Sequence, residues 1–139
     1  MKTLPKLLVV DDEEDLRWAL KMILVKGGFG VTTASSGAEA LCWLEEHTCD
    51  LLLLDAKLGD IDGLELARRI RSETRSIAPV ILVSGYFNKD DSLVQESLAR
   101  GLIAAFVTKP FRHEEILNAV HSVLGDVLRD GVPGEARRS

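Results

Sequence analysis

Five short apolar runs, each closing on or followed by a small, polar or charged residue, alternate along the chain with five stretches whose apolar residues recur at helical spacing. Strands separated by helix-length segments cannot pair as hairpins and must be joined by crossovers. The alternation therefore predicts an α/β fold built on a parallel sheet. The runs are KLLVV from Lys6, VTTA from Val31, DLLLLD from Asp50, VILVS from Val80 and AAFVT from Ala104. The third, with Leu51 to Leu54 in succession, has no polar face, as a strand covered by helices on both sides requires. VTTA alternates, as an edge strand does.

Between the runs, Leu16, Leu20, Ile23 and Leu24 mark a first helix that the glycines of KGGFG end. Ser36, with Glu39 three residues on, forms a capping box for a second helix carrying Ala40, Leu41 and Leu44. Further helices are expected over 63–71, about 90–100 and about 112–128, the last with Ile116, Val120, Val123 and Leu124 inward. One domain, 1–128, is expected, followed by a flexible tail or linker, 129–139. At 139 residues and 46% apolar content, one core suffices. That tail, RDGVPGEARRS, fits a stand-alone domain and the linker to an effector domain equally well.

Charge and targeting signals narrow the class. A net charge of −5, with Arg137 and Arg138 clustered at the chain's end, predicts no nucleic-acid contact. The opening apolar run is too short for a signal peptide and no run approaches a membrane span, so a cytoplasmic protein without membrane contact is expected. Cys42 and Cys49 have no metal-ligand spacing and are expected to be buried, reduced thiols without chemistry.

The strand ends carry the chemistry, because ligands of open α/β sheets bind at the carboxyl ends of the strands. Asp11 and Asp12 follow the first run, Asp55 closes the third, Ser84 closes the fourth, and Lys109 and Pro110 follow the fifth. Taken singly, each has a plain structural reading: the acids favour a helix N-terminus, Ser84 makes a turn, Lys109 is solvated. Those readings do not explain why four of five strands end this way.

Asp11 and Asp12 after LLVV, Asp55 after LLLL, Ser84 after VILV, and Lys109 with Pro110 in AFVTKPF resemble the receiver domain of two-component response regulators over about residues 6–128. The resemblance implies a doubly wound, flavodoxin-like sheet of five parallel strands in the order 2-1-3-4-5. It implies a phospho-acceptor, Asp55, that takes a phosphoryl group from a histidine kinase or phosphotransfer protein. Asp12 and Asp55 would hold Mg²⁺ directly, with the Lys57 backbone carbonyl, and Asp11 through water. Ser84 and Lys109 would meet the phosphoryl oxygens, and the Lys109–Pro110 peptide would be cis. Phe106 would act with Ser84 as a switch for the fourth helix, fifth strand and fifth helix, the surface offered to a downstream effector or to a phosphorylation-dependent homodimer. Such a protein is a signalling phospho-acceptor that promotes its own phosphorylation and dephosphorylation, rather than an enzyme on other substrates.

Elementary electrostatics agrees with that arrangement. A like-charged pair at 4 Å costs roughly 4 kcal/mol at an effective dielectric of 20, so three converging carboxylates need cations. All-oxygen donors suit Mg²⁺, and Mg²⁺ with the Lys109 ammonium balances three carboxylates. Phosphorylation adds charge that Lys109 and Ser84 can meet.

Departures from the family pattern bear on detail. Gly59 stands where proline is common, so the loop after Asp55 is expected to be more flexible. Phe106 lacks the hydroxyl of the tyrosine often found at the switch position. Lys57 and Tyr86, each two residues beyond a site residue, are expected to slow loss of phosphate.

Three other functions fit these residues less well. A haloacid-dehalogenase-type phosphatase would carry a second aspartate at the position of Lys57. A nucleotide or flavin module would need a glycine-rich loop after a strand, whereas GGFG follows a helix. A receiver-like interaction module independent of phosphate would not need the full set of acceptor-site residues.

Overall fold

The structure, a computed structural model, describes residues 4–131. Strand and helix alternate throughout: β1 (Lys6–Val10), α1 (Glu14–Lys26), β2 (Gly30–Ala34), α2 (Gly37–Glu46), β3 (Leu51–Asp55), α3 (Gly63–Glu73), β4 (Val80–Ser84), α4 (Ser92–Ala99), β5 (Ala105–Thr108) and α5 (His113–Gly131). All strand pairs are parallel, in the order β2-β1-β3-β4-β5. The order reverses beside β1, which lies between β2 and β3. The crevice at the carboxyl ends of β1 and β3 is therefore the expected place for a ligand.

The four consecutive leucines divide by parity. Leu51 and Leu53 join Leu7, Val9, Ile81 and Val83 against α1 and α5, where Leu20, Leu24, Ile116 and Val120 complete one apolar layer. Leu52 and Leu54 join Leu8, Val10, Val80 and Leu82 against α2, α3 and α4, meeting Leu44, Leu66, Ile70 and Val94 in the other. Each buried leucine contributes about 2 kcal/mol relative to an exposed one, which makes β3 the spine of both layers. At the edge, β2 is half-buried along most of its length, the mark of a strand with one neighbour.

Local signals account for the helix ends, with adjustments. Ser36 Oγ accepts from Glu39 N at 3.0 Å, while Glu39 Oε1 accepts from Ser35 N at 2.8 Å, one residue earlier than a capping box would place it. Asp62 caps α3, its Oδ1 accepting from Leu64 N at 2.8 Å. Helix α4 is shorter than expected because Asp91, not Asp90, caps it. Helix α5 continues to Gly131, three residues past the expected end at Leu128; the rest of the expected tail, 132–139, lies outside the described residues.

Two expectations need correction. Cys42 is exposed, because it faces away from the apolar side of α2 that carries Ala40 and Leu44, and Cys49 is only half-buried; both are free thiols. Burial pushes the Cys49 thiol up to about 11, which keeps it protonated and unreactive. Arg68 and Arg69 form a second basic pair on α3, with Glu65 and Glu73 standing against them at 3.1 and 2.7 Å.

Candidate functional site

The strands bring the named residues together by register. Val10 and Leu54 are neighbours across β1 and β3, so the residues that follow them, Asp11 and Asp55, emerge side by side. Ser84 and Thr108 pair across β4 and β5, which places Lys109 one residue beyond Ser84's row. Oxygens of Asp11, Asp12 and Asp55 all lie within 4.8 Å of one another. Lys109 Nζ reaches them from the other side, 3.4 Å from Asp55 Oδ1 and 3.8 Å from Asp11 Oδ2. The Lys109–Pro110 peptide is cis.

Depth differs within the acidic trio. Asp11 and Asp55 are buried, and Asp12 is exposed at the mouth. Asp11 pays for its depth: burial raises its carboxyl to about 6, reinforced by the charges of Asp55 and Asp12 and opposed by the Glu13 N–H and Lys109. Its neighbours hold it in place. Asp11 Oδ1 accepts from Glu13 N at 2.9 Å, its carbonyl accepts from Arg17 Nη1 at 2.8 Å, and its own N–H donates to Ala34 O at 3.1 Å.

Three carboxylates face a single ammonium, so the cluster carries two uncompensated negative charges when fully ionised. Oxygen donors with a surplus of two fit a small divalent cation such as Mg²⁺. A fourth oxygen is available. Lys57 forms an antiparallel bridge with Asp62, but the bonds on either side of it run from Leu58 N to Ile61 O (3.3 Å) and from Gly63 N to Ala56 O (2.8 Å). In such a pair the bridged residue's own N–H and C=O face away from its partner. The Lys57 N–H donates to Asp55 Oδ1 at 3.4 Å, and an extended residue directs its C=O to the same side as its N–H, which turns the Lys57 carbonyl toward Asp55.

Gly63 makes this loop possible. A Cβ there would collide with the Asp55 carbonyl and stand 2.8 Å from Ala56 Cα, so only glycine lets the start of α3 close against the end of β3.

The remaining named residues lie around this centre. Ser84 is fully buried, and its Oγ accepts from Tyr86 N at 2.9 Å and Phe87 N at 3.1 Å, holding the first turn of the β4–α4 loop. Phe106 is half-buried against the α2–α3–α4 layer and borders a hollow of about 370 Å³ with Lys89, Thr108, Glu115 and Asn118. Lys57 and Tyr86 meet each other, Nζ lying 4.5 Å from the ring centroid, over a groove of about 480 Å³ floored by Ala56, Leu58 and Phe87. Sequence reasoning missed Arg17, which braces Asp11 from α1, and Asp60, whose carboxylate accepts from Gly37 N and Ala38 N. Those two N–H groups, Gly37's foremost, hold the Asp60 carboxyl below its usual range.

Comparison with known proteins agrees with this geometry. The response regulator receiver domain family matches residues 7–121. Sporulation initiation phosphotransferase F of Bacillus subtilis (strain 168) is 34% identical over 119 residues, covering 86% of this chain and 93% of that protein. The alkaline phosphatase synthesis transcriptional regulatory protein PhoP of the same organism is 33% identical over 119 residues, 86% of this chain but 48% of the regulator, so the chain spans about half of that relative's length. Among solved structures, a CheY-like response regulator receiver domain protein from Methanospirillum hungatei JF-1 superposes with a TM-score of 0.79 at 28% identity, covering 92% of this chain and 99% of that one. No helix among the described residues is long and apolar enough to cross a membrane. A sheet in the order β2-β1-β3-β4-β5, an acidic cluster at its switch point and a family match over most of the chain lead to one conclusion: this chain belongs to the response regulator receiver domain family of two-component signalling.

Proposed function

We propose that Asp55 is the phospho-acceptor, that Asp11, Asp12, Asp55 and the Lys57 carbonyl hold Mg²⁺, and that the donor is a histidine kinase or phosphotransfer protein. The observation that carries this reading is the position of Asp55: buried at the end of β3, beside two other carboxylates and 3.4 Å from Lys109 Nζ. A carboxylate oxygen of Asp55 attacks phosphorus while the bond to the donor's histidine nitrogen, or to the acetate oxygen of acetyl phosphate, breaks, the leaving nitrogen or oxygen taking the bonding pair. Mg²⁺, when bound, neutralises the carboxylates and the incoming phosphoryl charge. Lys109 answers the same charge from the opposite side.

Ser84 connects this event to the surface. Turning its hydroxyl toward a phosphoryl oxygen gives up the bonds from Tyr86 N and Phe87 N, so the β4–α4 loop loses its hold as the site gains a donor. Phe106 then repacks, and the α4–β5–α5 surface changes for an effector domain, a separate partner or a second copy of the chain. Hydrolysis of the phosphoryl group at the same site returns the resting state. A cytoplasmic location suits such a donor.

Incubation with Mg²⁺ and acetyl phosphate should add one phosphoryl group by mass, abolished in Asp55→Asn and by chelation. Full labelling of Asp55→Asn would falsify the assignment.

A further inference from the structure

The β3–α3 loop is anchored on a helix that contributes nothing else to the site. Asp60 turns its carboxylate to the first turn of α2, Oδ1 accepting from Gly37 N and Oδ2 from Ala38 N, each at 3.0 Å. Beside it, Ile61 Cγ2 occupies the space that a Cβ on Gly37 would need, so an apolar contact accompanies the two bonds. Helix α2 has a cap of its own, Ser36, whose hydroxyl serves Glu39 N. Asp60 takes N–H groups that the local cap leaves free, and these bonds also fix the loop that supplies them.

The loop needs such a hold. Gly59 precedes Asp60, and glycine leaves the unfolded and loosened states more backbone freedom than any other residue. No bond donated by Gly59 N is present among the described residues, and a Cβ there would meet nothing closer than Asp12 Oδ2 at 3.5 Å. Two residues before Gly59 stands Lys57, whose carbonyl lies on the side of Asp55.

We infer that Asp60 is a positioning residue: by anchoring loop 57–62 on the N-terminus of α2, it holds the Lys57 carbonyl beside the acidic trio. The inference rests on the reading of Asp11, Asp12, Asp55 and the Lys57 carbonyl as Mg²⁺ donors. It makes α2, a helix that carries none of the proposed site residues, part of the support of the site.

Calorimetric titration of the full chain with Mg²⁺ alone, at fixed pH and ionic strength, tests it. Asp60→Ala is expected to weaken binding about tenfold, the lower end of the range for groups that orient metal ligands. Ser36→Ala removes the local cap of α2 and should lower the unfolding temperature while leaving Mg²⁺ affinity unchanged. Asp60→Asn keeps an acceptor for one of the two N–H groups and should stay within about threefold of the parent. Gly59→Pro added to Asp60→Ala should recover most of the affinity without recovering the lost thermal stability. Unchanged affinity in Asp60→Ala overturns the inference. An equal loss in Ser36→Ala assigns the effect to helix stability, and an equal loss in Asp60→Asn assigns it to charge; either also overturns it. The parent's own titration, and its loss in Asp55→Asn, report separately on the site reading: a parent that binds no Mg²⁺ sinks that reading, whereas a parent that binds beside an unchanged Asp60→Ala sinks only the role of Asp60.

Discussion

The β3–α3 and β4–α4 loops both end on an aspartate that caps the next helix, Asp62 and Asp91, and differ in how they are held before it. The first is fastened by bonds that phosphoryl transfer leaves alone: Asp60 to α2, Asp62 to the first turn of α3, and Gly63 N to Ala56 O. The second begins on one hydroxyl, Ser84 Oγ, which carries the N–H groups of Tyr86 and Phe87. A loop fastened to fixed partners stays put when the site changes charge. A loop that begins on the group proposed to answer that charge would not. On the proposed reading the first loop supports the site and the second responds to it.

The comparison can be broken most severely at Gly63. Gly63→Ala forces a methyl against the β3 backbone, and a loss of about 3 kcal/mol in denaturant unfolding is expected, with loss of Mg²⁺ binding. A neutral result would show that the support loop yields easily. Ser84→Ala attacks the other loop. Losing both bonds should cost about 2 kcal/mol and speed amide exchange at Tyr86 and Phe87, while Mg²⁺ affinity is retained. Loss of Mg²⁺ affinity in that variant would merge the two loops into one unit.

Asp11 provides a test by pH. Because its folded carboxyl is raised to about 6, protons compete with the cation, and Mg²⁺ affinity should fall about tenfold between pH 7.5 and pH 5. For the metal-free chain the sign is reversed. A carboxyl whose folded value lies above its unfolded value of 3.8 favours folding fully below that value, and this contribution is lost as pH rises through about 6. Metal-free protein should therefore be more stable at pH 5 than at pH 7.5 as far as Asp11 is concerned, and Asp11→Asn should flatten that dependence.

The smallest expected effect concerns Lys57 and Tyr86, where the two loops touch. If their contact shields the proposed acceptor, Lys57→Ala should lose phosphate about threefold faster and the Lys57→Ala, Tyr86→Ala double variant about tenfold faster. Unchanged decay, followed by phosphate release at fixed Mg²⁺, would remove the contact from the timing of the signal.

What could be read before folding, and what could not, follows from the range of the interactions. The run Leu51–Leu54 identifies a strand buried on both faces because burial is a property of the run itself. Asp11, Asp55, Ser84 and Lys109 could be grouped because each sits at the end of such a run, where topology gathers loops. Ser36 and Glu39 announce a helix start within four residues. Asp60 announces nothing locally: its partners, Gly37 and Ala38, lie more than twenty residues away, and an exposed loop aspartate has many ordinary uses. Arg17 is likewise one more charge on α1 until its guanidinium is seen on the Asp11 carbonyl. Cys42 was misjudged for the converse reason, since apolar neighbours in sequence lie on another face of α2.

The parity of the four leucines has a consequence for how such a chain can diversify. Leu51 and Leu53 belong to one apolar layer, Leu52 and Leu54 to the other, and between them runs only backbone. Side-chain volume on one side of the sheet is thus independent of volume on the other. Phe106 and Val107, adjacent on β5, likewise fall in different layers. A lineage can therefore repack the apolar layer beneath α1 and α5, residue by residue, without retuning the α2–α3–α4 layer against which Phe106 rests.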